Sequence, residues 1–211
     1  MKLYYAPGAC SMATHIVLNE SGLDYRLEKV DLATKLTQSG ENFAEVNPKG
    51  YVPALKLDSG EVLTEAAVTL QYVADQVPQS GLAAEAGTLQ RYQTLEWLNF
   101  VSTEIHKTLG ALFNPRITPE WREHQISTFA KRCDFLSQHL ESRQFLGGDQ
   151  FGIADAYLFT ILGWTDLHQV DMTSWPVLID YIRRVAARPT VQATLVEEGL
   201  VPANDRETVT A

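Results

Sequence analysis

The 211-residue sequence predicts two domains of different class, an α/β domain followed by an all-helical one. Up to about residue 77, short apolar runs of strand length alternate with helical patterns in the order β-α-β-(α)-β-β-α. After the turn at Pro78–Gly81 the strand signals stop and only helical periodicity is left. We therefore expect an α/β domain over residues 1–80 and a helical domain over residues 88–211.

The first domain opens with a βαβ unit. A strand is expected at Lys2–Tyr5, a helix at Cys10–Ser21 closed by Gly22, and a second strand at Tyr25–Val30. Such a crossover is almost always right-handed. The polar stretch that follows contains at most a short helix near Glu41–Val46.

The segment Asn47–Ala66 reads as a β-hairpin that leads into a helix. The Val52–Pro53 bond opens its first strand and can adopt the cis form. An exposed main-chain donor and acceptor at Val52 would pair with an extended peptide as an added strand does. At the following helix start, the Ala66 N–H favours a carboxylate and the Glu65 side chain an ammonium. The alternative is an ordinary hairpin followed by a helix with an acidic first turn.

The second domain is expected to consist of five helices, with a long first one. Their predicted ranges are Thr88–Leu109, Pro119–Glu141, Ala154–His168, Pro176–Ala187 and Pro189–Glu197.

Composition excludes several classes of function. A net charge of −9 argues against a nucleic-acid surface or an anionic membrane surface, because both need a basic patch. No apolar run is long enough to span a membrane, and the N-terminus lacks the apolar core of a signal peptide. With Cys10 and Cys133 as the two cysteines, we expect a reducing cytoplasm and no disulfide scaffold.

Cys10 lies where the first strand turns into the first helix. The helix dipole and the free N–H groups stabilise a thiolate there, so we expect a lowered pKa for the Cys10 thiol. Ser11 is expected to cap the helix or to donate a hydrogen bond to the thiolate. Cys133, in mid-helix of the other domain, is not expected to pair with it. The alternative for Cys10 is a small buried hydrophobic residue.

The long helix predicted at Thr88–Leu109 carries an apolar and a polar stripe. The polar stripe consists of Tyr92, Glu96, Asn99, Thr103 and His106. It can simply be solvated. If it faced the α/β domain, His106 could stabilise a thiolate or relay a proton.

Gly152 and Asp155 stand at the cap and third positions of a predicted helix start. Because glycine has no side-chain oxygen, we expect Asp155 to do more of the capping. This motif is expected to serve folding and not catalysis. Trp164, later on the same helix, could roof a cleft or lie in the core.

Several motifs together resemble the bacterial, beta-class cytosolic glutathione S-transferases over essentially the whole chain. They are Tyr4–Ser11, Asn47–Gly50 with Val52–Pro53, Leu63–Glu65, Trp97–Phe100 with Glu104–Lys107, and Ala154–Phe159. The resemblance implies a thioredoxin-like N-terminal domain, a helical C-terminal domain and a homodimer. It also implies glutathione as co-substrate, with no metal.

The resemblance further implies roles for particular residues. It implies catalytic roles for Cys10, His106 and Ser11. Glutathione contacts are implied for Lys35, Val52, Pro53, Glu65, Ala66, Asn99, Thr103, Glu104 and Lys107, of which Glu104 reaches the partner subunit's ligand. The hydrophobic substrate is expected near Leu112, Phe113 and Trp164. The chain departs from the pattern in Ala66, where many relatives have serine, and in Gly152, which replaces the usual serine or threonine cap.

The expected activity is conjugation of glutathione to small electrophiles, with thiol-disulfide exchange through Cys10 as a second mode. Two alternatives stay open. One is a glutathione-dependent dehalogenase or isomerase of the same superfamily, and the other is a non-catalytic scaffold that binds ligands.

Overall fold

The computed structural model describes residues 1–202 and contains one four-stranded sheet. Its strands are β1 (Lys2–Tyr5), β2 (Arg26–Lys29), β3 (Ala54–Lys56) and β4 (Val62–Thr64), in the order β2-β1-β3-β4. β1 pairs with β2 in parallel and with β3 antiparallel, and β3 pairs antiparallel with β4. The predicted βαβ unit and hairpin are both present, and this sheet with its helices is thioredoxin-like.

Helices cover both faces of the sheet, and helices joined by loops follow it in the described chain. They are α1 (Ser11–Ser21), α2 (Phe43–Val46), α3 (Ala66–Gln76), α4 (Leu89–Phe100), α5 (Lys107–Gly110), α6 (Pro119–Leu140), α7 (Ile153–Leu162), α8 (Trp164–Leu167), α9 (Pro176–Ala186) and α10 (Pro189–Glu197). None of the helices within residues 1–202 has both the length and the apolar character that crossing a bilayer requires. The expected all-helical second part is therefore observed, and its last residues, 203–211, lie outside the described ones.

Two predicted helices differ from the observed ones. The helix expected over Thr88–Leu109 contains a six-residue π-helical segment, Val101–His106, between α4 and α5. Apolar steps of three and four residues cannot reveal such a segment, because it needs only one extra residue per turn. The helix expected over Ala154–His168 is divided at Gly163 into α7 and α8.

One continuous hydrophobic core joins the sheet to the later helices. Helix α1 packs on α3, which follows the sheet, and on α7 and α10 of the all-helical second part. The buried His15 of α1 contacts Glu197 at 2.8 Å and Glu198 at 2.9 Å, and Glu198 also accepts a 2.8 Å hydrogen bond from the Gly8 N–H. The end of α10 therefore fixes the loop that leads to Cys10.

Asp155 holds the start of α7, as the cap motif predicted. Its carboxylate accepts hydrogen bonds from the N–H groups of Gly152 and Leu146, both at 2.9 Å, and from the Tyr181 hydroxyl at 3.0 Å. Burial raises the pKa of Asp155 to about 6, although these donors act in the opposite direction.

Gly152 fits its position for a steric reason. A Cβ atom there would lie 3.0 Å from the carbonyl oxygen of Leu82, which accepts a hydrogen bond from the Ile153 N–H. The Leu82 carbonyl therefore occupies the space that a serine or threonine cap would need.

Candidate active site

The Val52 main chain lies at the head of β3, beside the N-terminus of α1. The Val52–Pro53 peptide bond is cis. The Val52 carbonyl accepts a hydrogen bond from the Cys10 thiol at 3.2 Å. Within residues 1–202 the Val52 N–H has no acceptor. This edge therefore offers an N–H directly and a C=O whose present partner is a thiol.

The predicted lowering of the Cys10 pKa is wrong. Burial raises the pKa of the thiol to about 12, and the backbone N–H groups of Cys10 and Ser11 offset only part of that rise. The thiol is thus protonated at neutral pH, and it donates a hydrogen bond to the Val52 carbonyl. The helix dipole does not compensate for the loss of water around the sulfur.

Ser11 does not cap α1 with its side chain. Its hydroxyl is buried, donates to the Ala6 carbonyl at 3.3 Å and accepts from the Ala6 N–H at 3.2 Å. The prediction of a side-chain cap is therefore wrong, because the hydroxyl closes the turn between β1 and α1. The donor that Ser11 offers to the Cys10 sulfur is its backbone N–H.

Glu65 stands immediately before α3 with a backbone φ of 73°. Its carboxylate contacts the Lys49 ammonium at 2.7 Å and the Tyr51 hydroxyl at 3.3 Å. The Lys49 contact is the main cause that lowers the pKa of Glu65. Within residues 1–202 the Ala66 N–H has no acceptor. A free N–H and a carboxylate on adjacent residues suit the carboxylate and ammonium of one amino acid.

Lys35 contacts the turn that precedes Val52. Its ammonium donates to the Gly50 carbonyl at 2.7 Å, and its backbone φ is 60°. A left-handed conformation is uncommon for lysine, and here it aims the side chain at the turn before Val52.

His106 ends the π-helical segment and enters the site from the helical side. Its Nδ1 shares a 2.6 Å hydrogen bond with the Tyr157 hydroxyl of α7. Its ring packs edge-on against Trp164 at 5.0 Å between centroids. Burial, followed by the nearby Lys107 charge, lowers the pKa of His106 to about 4. The imidazole is therefore neutral at physiological pH and cannot supply a positive charge.

Trp164 connects this region to the Cys10 loop. Its indole N–H donates to the Gly8 carbonyl at 2.8 Å, and its ring packs on Phe113 at 5.1 Å. Phe113 is 51% exposed, whereas Leu112 is buried beside it. Phe113 and Trp164 thus lie next to the loop that carries Cys10. Trp164 itself is only 6% exposed and belongs to the core, as the alternative expectation for it had it.

The remaining predicted residues lie along α4 and the π-helical segment. Asn99, Thr103 and Lys107 are exposed. Lys107 lies within electrostatic range of the site, since its charge lowers the pKa values of both Cys10 and Glu65. Glu104 forms an ion pair with Arg132 of α6 at 2.6 Å.

Sequence reasoning missed three side chains at the site: Lys49, Tyr51 and Tyr157. A signal for Lys49 existed, because a hairpin brings the residues before its first strand close to those after its second. The pairing of Ala54 with Thr64 does this here. Tyr157 gave no such signal, because it stands within an apolar helical run. No group of three or more side chains that could hold a metal ion lies together within residues 1–202.

Comparisons with known proteins show the family of the chain. The chain matches family models described as the N-terminal domain of glutathione S-transferase over residues 8–76 and the C-terminal domain over residues 119–184. It is 42% identical to the glutathione S-transferase GstA of Escherichia coli O157:H7, across 95% of this chain and 100% of that protein.

Two solved structures share the fold closely. The glutathione transferase of Methylococcus capsulatus superposes with a TM-score of 0.94 at 52% identity, covering 95% of this chain and 99% of that one. A sphingomonad glutathione S-transferase complexed with glutathione gives a TM-score of 0.92 at 45% identity, with coverage of 95% and 100%. With both family models matched in order and near-complete coverage of these proteins, the chain belongs to the glutathione S-transferase family.

Proposed function

We propose that this protein transfers glutathione to small electrophiles. The observation that carries the proposal is the grouping of a peptide-pairing edge at Val52, the Cys10 thiol on that edge, and a carboxylate beside a free N–H at Glu65 and Ala66. These groups match the three parts of a γ-glutamyl tripeptide: its cysteinyl main chain, its sulfur and its amino-acid head.

In the proposed complex, the cysteinyl N–H and C=O pair with the C=O and N–H of Val52, as an added strand would. The γ-glutamyl ammonium binds Glu65, and its carboxylate binds the Ala66 N–H. Glutathione binding takes the Val52 carbonyl from Cys10, so the thiol turns its hydrogen towards the incoming sulfur. Pro53 keeps Val52 at the head of the strand. We assign Lys35, Asn99, Thr103 and Lys107 to the walls of this groove.

For conjugation, the glutathione thiol loses its proton to solvent and the sulfur attacks an electrophilic carbon. A carbon–sulfur bond forms, and with a haloaromatic substrate the halide leaves with the bonding electrons. Three groups favour the glutathione thiolate: the neutral Cys10 thiol as a donor, the Lys107 charge and the N-terminus of α1. The neutral His106, oriented by Tyr157, offers its second ring nitrogen as a hydrogen-bond partner. Phe113 and Trp164 hold the apolar part of the electrophile, and the buried Leu112 supports them.

Thiol-disulfide exchange is a second candidate, favoured by the position of the Cys10 sulfur on the edge that binds the peptide. The Cys10 sulfur would attack the glutathionyl sulfur of a mixed disulfide while its thiol proton passes to the departing sulfur, which releases the other thiol and leaves Cys10 bonded to glutathione. A second glutathione would then restore Cys10 and release glutathione disulfide. Cys133 lies buried in the helical core and offers no internal partner.

We extend the proposal to the class of the enzyme, its assembly and its location in the cell. Cys10 together with His106 supports the beta class, and a role in detoxification follows from conjugation of electrophiles. We propose a homodimer in which Glu104 reaches the partner subunit's ligand, and a cytoplasmic location consistent with two free cysteines. We also propose domains of residues 1–80 and 88–211; the restriction of the sheet to residues 2–64 supports this division.

Retention on immobilised glutathione, followed by conjugation of a generic aromatic electrophile, tests the main proposal. We expect retention and a chromophoric conjugate from the unmodified protein. Retention without turnover of electrophiles or disulfides would favour a ligand-binding scaffold, and turnover that regenerates glutathione would favour a dehalogenase or isomerase. The Cys10→Ala variant should lose disulfide reduction while keeping measurable conjugation; intact disulfide reduction would end the exchange role.

A further inference from the structure

The Lys49 ammonium is paired with the Glu65 carboxylate, to which the ammonium of glutathione would bind. Its Nζ lies 2.7 Å from Oε1 of Glu65 and 2.9 Å from the hydroxyl of Thr64. Both charged side chains are about half exposed, 46% for Lys49 and 51% for Glu65. Exposed ion pairs contribute little free energy and exchange readily. A ligand ammonium can therefore displace Lys49 from Glu65.

Displacement alone would place two ammonium groups next to each other. Like charges at such distances repel, which disfavours binding unless an anion lies between them. The γ-glutamyl head provides that anion, because its carboxylate and its ammonium are attached to the same carbon. Position 66 offers this carboxylate the Ala66 N–H and no side-chain hydroxyl.

We propose that Lys49 is a specificity-determining residue, which moves from Glu65 to the γ-glutamyl carboxylate when glutathione binds and replaces the hydroxyl that Ala66 lacks. The inference rests on the proposed glutathione site. In this arrangement the protein recognises both charges of the amino-acid head. Glu65 contacts the ammonium, and Lys49 and the Ala66 N–H contact the carboxylate.

The turn around Lys49 is built to present this side chain. The buried Asn47 accepts a hydrogen bond from the Lys49 N–H at 3.1 Å and donates to the Tyr51 carbonyl at 2.7 Å. The other lysine of the turn region, Lys35, is bound to the Gly50 carbonyl and does not contact Glu65. The position of the Lys49 backbone is thus fixed while its exposed ammonium can change partners.

The test is isothermal titration calorimetry with two ligands that cannot react. One is S-methylglutathione, and the other is its analogue in which 4-aminobutanoate replaces the γ-glutamyl group, so that only the carboxylate is missing. Each is titrated into the full-length protein, Lys49→Met, the charge-conserving control Lys49→Arg, and the double variant Lys49→Met with Ala66→Ser. Thermal midpoints within about 2 °C would show that the substitutions, including the one at the buried Ala66, leave the fold intact.

We expect Lys49→Met to weaken S-methylglutathione about five- to tenfold, as for the loss of one charged hydrogen bond. The analogue should bind Lys49→Met as well as or better than the unmodified protein, because the repelling ammonium is gone. Lys49→Arg should stay within about threefold, and Ala66→Ser should recover part of the loss.

Equal weakening of both ligands by Lys49→Met, or unchanged binding of S-methylglutathione, would overturn the role of Lys49 and leave the glutathione site in place. Failure of the unmodified protein to bind S-methylglutathione would overturn the glutathione site itself, and this inference with it.

Discussion

Asp155 and Glu65 are two carboxylates near helix starts with opposite surroundings. Asp155 is buried, and its oxygens accept from two backbone N–H groups and a buried tyrosine. Glu65 is half exposed, and its partners are the ends of two long side chains, Lys49 and Tyr51. Burial raises the pKa of Asp155, whereas the Lys49 contact lowers that of Glu65.

The difference separates a carboxylate that holds the fold from one that we propose to bind a ligand. Donors fixed in the backbone cannot leave Asp155 without unfolding the start of α7. Donors on flexible side chains can leave Glu65 at small cost and make room for an ammonium. Removing the first carboxylate should therefore affect stability, and removing the second should affect binding.

The largest effect is expected for Asp155→Ala. It leaves the N–H groups of Leu146 and Gly152 and the Tyr181 hydroxyl without an acceptor in a buried place. We expect a loss of about 3–5 kcal/mol in the free energy of unfolding. Urea denaturation measures it, with Asp155→Asn as the control that keeps one acceptor oxygen and should lose less. A loss below about 1 kcal/mol would contradict the assignment of Asp155 to the fold.

Glu65→Gln should give the converse result. We expect the affinity for glutathione to fall about 30- to 100-fold, because the ammonium loses its charged partner. The unfolding free energy should change by less than about 0.5 kcal/mol, since the side chain is half exposed. Calorimetry and urea denaturation on the same preparation give both values. A large stability loss with unchanged binding would reverse the comparison.

His106, a partly buried group of the candidate site, sharpens the comparison. Its folded pKa of about 4 lies below the ordinary value near 6.5. Between these values the unfolded chain binds the proton more readily, so the stability contribution of the neutral ring is present above pH 6.5 and is lost as pH falls towards 4. Over this pH range we expect the His106→Gln variant to lose less unfolding free energy than the unmodified protein, by on the order of 2 kcal/mol.

Unfolding free energies measured at several values from pH 7.5 to pH 4.5 check this prediction. The conjugation rate of the unmodified protein should also show no titration near pH 6.5. Identical stability profiles for the two proteins would mean that His106 titrates normally.

The smallest effect is expected for Gly152→Ser. In an open helix start a serine cap stabilises relative to glycine by a few tenths of a kcal/mol. Here the Leu82 carbonyl lies 3.0 Å from the new Cβ position, so we expect no gain and a loss of at most about 1 kcal/mol. Thermal unfolding measures it. A clear rise in the midpoint would show that Leu82 moves aside and that the hydroxyl caps α7.

Local patterns predicted the elements, and contacts distant in sequence decided their chemistry. The strand at Lys2–Tyr5 and the hairpin that ends at Glu65 could be predicted, because apolar alternation and turn residues act locally. The state of the Cys10 thiol could not, because it depends on the Val52 carbonyl and on the burial of the sulfur. The π-helical segment that ends at His106 was hidden for another reason, since its residue spacing resembles that of an α-helix.

The candidate site was predicted in its main-chain features and missed in its exchangeable side chains. The free N–H groups of Val52 and Ala66 were predicted because a strand head and a helix start expose backbone groups wherever they occur. Lys49 was missed because its contact with Glu65 depends on the register of the hairpin. Ser11 was assigned to the wrong partner, since its hydroxyl turns back to Ala6 instead of forward into α1.

The most direct test of the account is a crystal structure of the protein with S-methylglutathione. We predict the cysteinyl main chain paired with both the N–H and the C=O of Val52, the ligand sulfur beside Cys10, and the amino-acid head between Glu65 and the Ala66 N–H. A tripeptide bound elsewhere, with the Cys10 thiol still donating to the Val52 carbonyl, would contradict it.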